Sequence, residues 1–395
     1  VSTIYSKDIS ELYVPKYFPV EGNEKTLELL NPAFKYLILI DKIIVCSAIN
    51  SLTLNIKPIN NGHDYNSNFI VMPKGFGKTT LLKEIFQKSN SKKMLITESK
   101  HFESEMFSKN EDDFLGKTWL NFDAISLFMT SKPVQRAQLI AFYTETLSDG
   151  LYSRKSNAIE ADYNLQYVMA SEKFYELQKE LYDSTLFDRI VPIYYHPSDE
   201  DKELIMQKAN INRTEYQINK MPSIKLPYID DLSDIKYKFG FEYGQDISDK
   251  IYELSQIMAE QTQMGITRVS RYISNFICSN AHINGRARNY KVFPNHSDIE
   301  LFEWLLDIHF PLDKNSFEFA VYSAIKDDEQ LACTVSDIIN SDAVLAHELV
   351  SNLTNNDKDR QTFTNNVRMV LNRLVTRGML LTERTGGLPI YWCNE

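Results

Sequence analysis

Between Asn68 and about Tyr195, short apolar runs alternate with longer amphipathic stretches. NFIVM, KMLIT, KTWLNF, NLQYVMA and RIVPIYY have the length and near-continuous apolar character of buried strands. Such strands belong to parallel sheets covered by helices on both faces, so the pattern predicts an α/β core. On either side the period changes. Upstream, FPVEGNEKTLELLNPAFKYLILIDKIIVCSAINS reads as helical pieces broken at Asn31-Pro32. Downstream, ISDKIYELSQIMAEQTQ and TRVSRYISNFICSNAHIN carry apolar residues at helical spacing. A polar, proline-containing loop from Lys220 to Leu232 lies in the same region, and Pro311 precedes a last compact unit. The expected divisions are a helical segment over 1–60, an α/β core over 61–197, a helical region over 198–310 and a C-terminal unit over 311–395. No internal repeat or low-complexity segment is visible.

The length of 395 residues suits two or three domains. Hydrophobic residues at 43% and charged residues at 24% are ordinary for a soluble globular protein. A net charge of −10 excludes a uniformly basic nucleic-acid binder but leaves room for a local basic path. Cys46, Cys278, Cys333 and Cys393 lie far apart with no CxxC pair, so neither a zinc ribbon nor a disulfide framework is expected. That usage points to a reducing, cytoplasmic setting. The most apolar run, Tyr36 to Ile49, is interrupted by Asp41 and Lys42 and is too short to span a bilayer. No signal peptide opens the sequence, and no membrane partner is expected.

Chemistry enters at VMPKGFGKTTLLKEIF, Val71 to Phe86. A buried-type strand feeds a loop of Pro73, Lys74, Gly75, Phe76 and Gly77, and Lys78, Thr79 and Thr80 open an amphipathic helix with Leu81, Leu82, Ile85 and Phe86 on one side. Strand, loop and helix in that order make a phosphate cradle, because backbone N–H groups and the helix N-terminus face the anion. Lys78 would reach the β- and γ-phosphates of ATP, and Thr79 would ligate Mg2+. The motif GxxxxGK[ST] lacks its first glycine, since Met72 stands there. The bland alternative is a Lys-Thr helix start in a sheet protein. A metal carboxylate is expected at the end of a neighbouring strand, and Trp119-Leu-Asn-Phe-Asp123 supplies Asp123. Ala124 follows, where many such ATPases carry a glutamate that polarises the attacking water.

Ser148 to Glu172 reads as a helix end at Asp149-Gly150, then a hairpin turning through Ser156-Asn157, then the strand NLQYVMA. With this hairpin inserted before a core strand, the chain resembles large AAA+ ATPases of the pre-sensor-1 hairpin class. That class includes minichromosome maintenance (MCM) helicases and magnesium-chelatase-like proteins. The resemblance covers roughly residues 60 to 306 and departs from the pattern at Met72 and Ala124. It implies a P-loop AAA+ parallel-sheet core with a helical lid. It makes Ser171 the polar sensor 1 residue and Arg189, in STLFDRIVPIYY, an arginine finger that reaches the neighbouring subunit's γ-phosphate. It aligns Arg268 with the sensor 2 arginine, with Arg271 as second choice. It further implies a homo-oligomer, a hexameric ring, with Arg154 and Lys155 at the hairpin tip lining a DNA channel.

The last unit reads as helices followed by a glycine-turn hairpin, MLLTE against PIYW, which describes a C-terminal winged-helix domain. Such domains often close the C-terminus of minichromosome maintenance helicases. Arg368 and Arg373 lie on the candidate recognition helix and Arg384 in the wing, so DNA contact is one expectation. The unit is not basic overall, and docking of a protein partner is the other. The leading expectation is an ATP-driven ring motor on DNA, an MCM-like replication helicase or initiator of a mobile element, virus or plasmid. The alternative is a nucleotide-gated switch that recruits or remodels a protein partner.

Overall fold

The computed structural model describes residues 12–37, 39–57, 65–87, 94–96, 116–121, 132–154, 157–160, 162–171, 174, 186–198, 200–204, 224–229, 238–262, 264–312, 316–326, 332–347, 357–376, 379–385 and 388–393. The chain divides into two compact units. The first takes Val1–Ser171 and Ser184–Phe310, the second Glu172–Asp183 and Pro311–Glu395.

The first unit opens with helix α1 (Glu24–Tyr36), which runs straight through Asn31-Pro32, where the sequence predicts a break. An interior proline costs about 3 kcal/mol. Leu27, Leu30, Ala33 and Phe34 are all fully buried on this helix. Each large apolar side chain contributes roughly 1.5–3 kcal/mol on burial, so their sum outweighs the proline. The chain breaks instead after Leu37, and Leu39 takes a left-handed φ of 79°. Helix α2 (Asp41–Ser51) follows, buried continuously from Ile43 to Ser51.

Strand β1 (Ser67–Met72) is buried throughout. It leads into α3 (Lys78–Thr80), which continues as a π-helix over Leu81–Gln87. Leu81, Leu82 and Phe86 of this π turn are all fully buried. Then come β2 (Met94–Ile96) and β3 (Lys117–Asn121). Helix α4 (Pro133–Asp149) starts on a proline at its N-terminus and ends at Gly150 with φ 63°. It delivers the hairpin β4 (Leu151–Arg154) and β5 (Asn157–Glu160). Strands β6 (Tyr163–Ala170) and β7 (Ile190–Tyr194) complete the sheet. All five strand candidates form one five-stranded sheet in the order β2-β3-β6-β1-β7, and every neighbouring pair is parallel. The expected α/β core is therefore present.

After the sheet the chain returns to its own beginning. Lys57 N–H donates to Phe239 O and Phe239 N–H to Asn55 O, both at 2.8 Å. Beside this bridge, buried Lys238 donates to the Asp162 carboxylate at 2.7 Å and to the Tyr65 hydroxyl. Burial lowers the Lys238 ammonium, and Asp162 opposes that shift. Strand β8 (Gly240–Phe241), helices α5 (Gln245–Thr262) and α6 (Ile266–Ile283), strands β9 (Ala287–Arg288) and β10 (Lys291–Val292) and helix α7 (His296–Leu305) follow. Helix α7 is capped by Asn295 and Asp298. Val269, Tyr272, Ile273, Phe276 and Ile277, expected to be one apolar face of α6, are all buried.

A buried polar network joins α2, β1 and α6. Asn50 Nδ2 donates to Tyr272 Oη at 2.7 Å and to Asn68 Oδ1 at 3.0 Å. Asn66 Nδ2 donates to Asn50 Oδ1 and to Tyr272 O, both at 2.8 Å. Asn68 Nδ2 donates to Tyr272 Oη at 2.8 Å and to Val191 O of β7 at 3.1 Å. His309 Nε2 lies 3.2 Å from Tyr272 Oη. Burial pushes its imidazole down to about 4.

The second unit has helix α8 (Phe317–Lys326), strand β11 (Cys333–Thr334), helices α9 (Val335–Ile339), α10 (Asp342–Leu345) and α11 (Asp357–Thr376), and strands β12 (Leu380–Thr385) and β13 (Leu388–Cys393). Thr334 and Asp337 form the capping box of α9. The strands make a three-stranded sheet in the order β11-β13-β12, with β12 and β13 antiparallel as expected. Val367, Val370, Leu371 and Leu374 of α11 are buried in this unit's own core. The four cysteines are free thiols. Among the described residues no helix is long and apolar enough to cross a membrane.

The buried histidine gives a signed pH prediction. The folded His309 pKa of about 4 lies below the ordinary histidine value of 6.5, so the unfolded chain takes up this proton first. The stability His309 contributes is complete above pH 6.5 and is lost as pH falls toward 4. His309→Gln should lose less unfolding free energy than wild type between pH 7 and 4.5, by roughly 2–3 kcal/mol. Urea titrations at the two pH values measure this, and parallel losses in both proteins would refute it.

Candidate functional site

The loop expected to cradle phosphate lies at the C-terminal edge of the sheet. Met72 remains inside β1, paired with Ala170 of β6 and fully buried. An extended residue there needs no glycine, which accounts for the departure from the motif. Pro73 leaves the strand, and the chain turns at Gly75 (φ 90°) and Gly77 (φ 83°). Both angles lie in the region that only glycine enters without strain. Among the described residues, chain neighbours aside, no atom lies within 4 Å of where a Gly75 side chain would begin, while Leu37 Cδ2 comes to 3.3 Å of the same point on Gly77. Gly77 caps α3, and its carbonyl accepts from Leu81 N–H at 2.8 Å. Lys78 Nζ donates to Pro73 O at 2.8 Å and Met72 O at 3.2 Å. The ammonium thus lies against the loop's own first carbonyls, with the glycine turns around it. Lys74 is exposed, and Phe76 packs its ring 5.4 Å from that of Tyr195.

Ligands of open parallel sheets collect at the carboxyl ends of the strands. Ser171 directly follows β6, so it lies on the same edge as the loop. Strand β3 is the next neighbour and ends at Asn121. Asp123 and Ala124 fall outside the described residues, as do the side chain of Thr79, the side chain of Arg154 and Lys155. The backbone of the expected hairpin is present, with Arg154 paired to Asn157.

Arg189 stands on the other edge. It precedes Ile190, which pairs with Ser67 at the start of β1. Six strand residues separate that level from Pro73, or about 20 Å at 3.3 Å per residue. The Arg189 Nε–H donates to Ser148 Oγ near the C-terminus of α4, where a cation is favoured by the helix dipole. Arg268 and Arg271, on the first turns of α6, line the same cavity as Arg189 and Asp188, together with Tyr65 and Asn275. The reason is the network above: Asn66 and Asn68 hold Tyr272 at the start of β1, with Arg268 one turn before it and Arg271 directly before it. Among the described residues, three guanidiniums and one carboxylate line this cavity. Sequence reasoning found each arginine but not their grouping, which brings Arg271 in beside Arg268.

In the second unit Arg368 and Arg384 are exposed. Arg373 is held by Glu318 of α8 at 2.8 Å. The Arg373 side chain stays more than half exposed in that pairing. Exposed neighbours on α11 include Asn365, Asn366, Met369 and Asn372.

Compared with models of known protein families, the chain matches none, and it matches none of the curated proteins.

Proposed function

We propose that the chain is an ATP-binding AAA+ motor that works as a ring on DNA, resembling minichromosome maintenance helicases. One observation carries the reading: the Lys78 loop and the Arg189–Arg268–Arg271 cavity lie on opposite edges of one sheet. With about 20 Å between them, the two cannot meet within one copy and act as complementary half-sites, one for phosphate and one supplying cations. Two copies complete a site only head to tail, and such heterologous contacts close into rings when the rotation permits.

The residues present fit a nucleoside triphosphate. Gly75 and Gly77 give the loop its open turns, no described residue crowds Gly75, and Lys78 supplies the charge. Bound ATP would supply the γ-phosphoryl group for transfer to water, with Mg2+ held by Thr79 and Asp123 in this reading. Lys78 would release its two carbonyls for phosphate oxygens. Ser171 would orient water or phosphate from the adjacent strand end. Arg189, Arg268 and Arg271 would neutralise the charge developing on the neighbouring copy's phosphates. The β4–β5 hairpin with Arg154 and Lys155 would follow a DNA backbone inside the ring. The second unit would act as the winged helix.

A second reading is a nucleotide-gated switch whose C-terminal unit docks a protein. It is favoured by the exposure of Met369 (56%) and Leu388 (63%) and by the capture of Arg373 by Glu318. Ala124 fits slow turnover in either reading. Stimulation of hydrolysis by single-stranded or forked DNA separates the motor from the switch.

Two outcomes test the shared site. Lys78→Ala should abolish ATP binding, whereas Arg189→Ala should bind ATP nearly as wild type and lose about 10³-fold or more in turnover. Mixing the two variants should restore part of the activity, because a mixed interface joins an intact loop to an intact arginine cavity. Turnover that stays absent on mixing, or an Arg189→Ala enzyme at wild-type rate, would end the intersubunit site. Ala124→Glu should raise kcat if the position limits hydrolysis, and steady-state phosphate release at saturating ATP reads this directly. An unchanged rate would assign water activation to another carboxylate.

A further inference from the structure

The short hairpin between α6 and α7 carries a residue its own backbone disfavours. Lys291 pairs with Arg288 and Val292 with Ala287, leaving Asn289 and Tyr290 as a two-residue loop. Their φ angles are 50° and 56°. Both residues are left-handed, as in the type I′ turn that matches the twist of a tight hairpin. Asparagine enters that region readily. The next position calls for glycine, and a bulky aromatic is an outlier there.

Packing does not explain the exception. Tyr290 is 59% exposed, and its ring centroid lies 6.2 Å from that of Phe239, a tilted and partial contact. The useful backbone group is its carbonyl, which accepts from Gly240 N–H at 2.9 Å and would do so from any residue. The strained position therefore presents a ring to solvent. Arg288 and Lys291 flank it as an exposed cross-strand pair. Lys291 meets Glu242 at 2.9 Å, with both side chains more than half exposed. Such a pair contributes little and exchanges readily for another anion. The Arg288 guanidinium lies over the Phe293 ring, 5.1 Å from its centroid.

We propose that the Arg288–Lys291 tip binds single-stranded nucleic acid, with Tyr290 stacking on a base and Arg288 and Lys291 meeting the flanking phosphates. An exposed ring between two cations, in a chain of net charge −10, has the chemistry of a stacking platform on a phosphate path. The proposal rests on the nucleic-acid reading above but concerns a different part of the chain from the β4–β5 hairpin.

The test uses the full chain and three labelled strands of equal length: oligothymidylate, an abasic deoxyribose-phosphate strand and oligouridylate. Wild type should bind the base-bearing strands about tenfold more tightly than the abasic one, and tight binding of either sugar supports stacking. Tyr290→Gly should bring the base-bearing strands down to the abasic level without lowering the thermal unfolding midpoint, because Asn-Gly suits the turn better than Asn-Tyr. Tyr290→Trp should keep the preference. Arg288→Ala and Lys291→Ala should each reduce the slope of log Kd against log salt by about one. A Tyr290→Gly protein that binds oligothymidylate like wild type overturns the inference and leaves the motor reading intact. A lowered midpoint in that variant also overturns it, since the ring would then serve packing. Wild type that binds none of the strands removes the nucleic-acid reading and the inference together.

Discussion

The hydroxyl of Tyr272 and the carboxamides of Asn50, Asn66 and Asn68 must satisfy one another, because burial leaves them no water. Each such group left unmatched would cost about 1–3 kcal/mol. An apolar contact among α2, β1 and α6 would tolerate sliding by part of a residue. A set of directed bonds does not, so it fixes where α6 meets the first strand. The placement of the arginines follows, since Arg268 and Arg271 precede Tyr272 by one turn or less.

Strand β1 then acts as a rigid strut between two chemically different ends. Its start is bonded to α2, α6 and β7, and its finish carries the glycine turns and Lys78. A rotation of α6 against the sheet would have to break the bonds to Asn66 and Asn68 together. Under the proposed ring function, a nucleotide-driven change is therefore more cheaply made by moving the first unit as one body against a neighbouring copy. In that case the arginine cavity of one copy and the lysine loop of the next open or close as complete surfaces.

Much of the sheet was legible in the sequence because buried parallel strands are written as apolar runs, and all five candidate runs became strands of one sheet. The turns after β1 were legible because Gly75 and Gly77 take positive φ, and Met72 was already read as part of the strand. Other features depend on partners distant in sequence. Pro32 looked like a helix end because the compensating burial of Leu27, Leu30 and Phe34 arises only in the packed unit. The polar start of β1 was visible as Asn66-Ser67-Asn68, an odd opening for a buried strand, but its meaning required Asn50 and Tyr272. The arginines were found singly, and only the folded chain shows them lining one cavity. Tyr290 carried a local signal, Asn followed by a non-glycine where a tight hairpin would favour Asn-Gly, that periodicity does not reveal.

The bridge between Lys57 and Phe239 makes the whole sheet an excursion between two helical stretches that pack together. During synthesis, α2 leaves the ribosome long before α6 exists to cover it. At about 5–20 residues per second, the interval from Ser51 to Ile283 lasts roughly ten to fifty seconds. For that time a helix buried on nearly every side in the finished fold has no partner from α6. Expression of this protein would consequently be sensitive to holdase chaperones and to growth temperature, through the waiting time of one uncovered helix rather than through the stability of the completed chain.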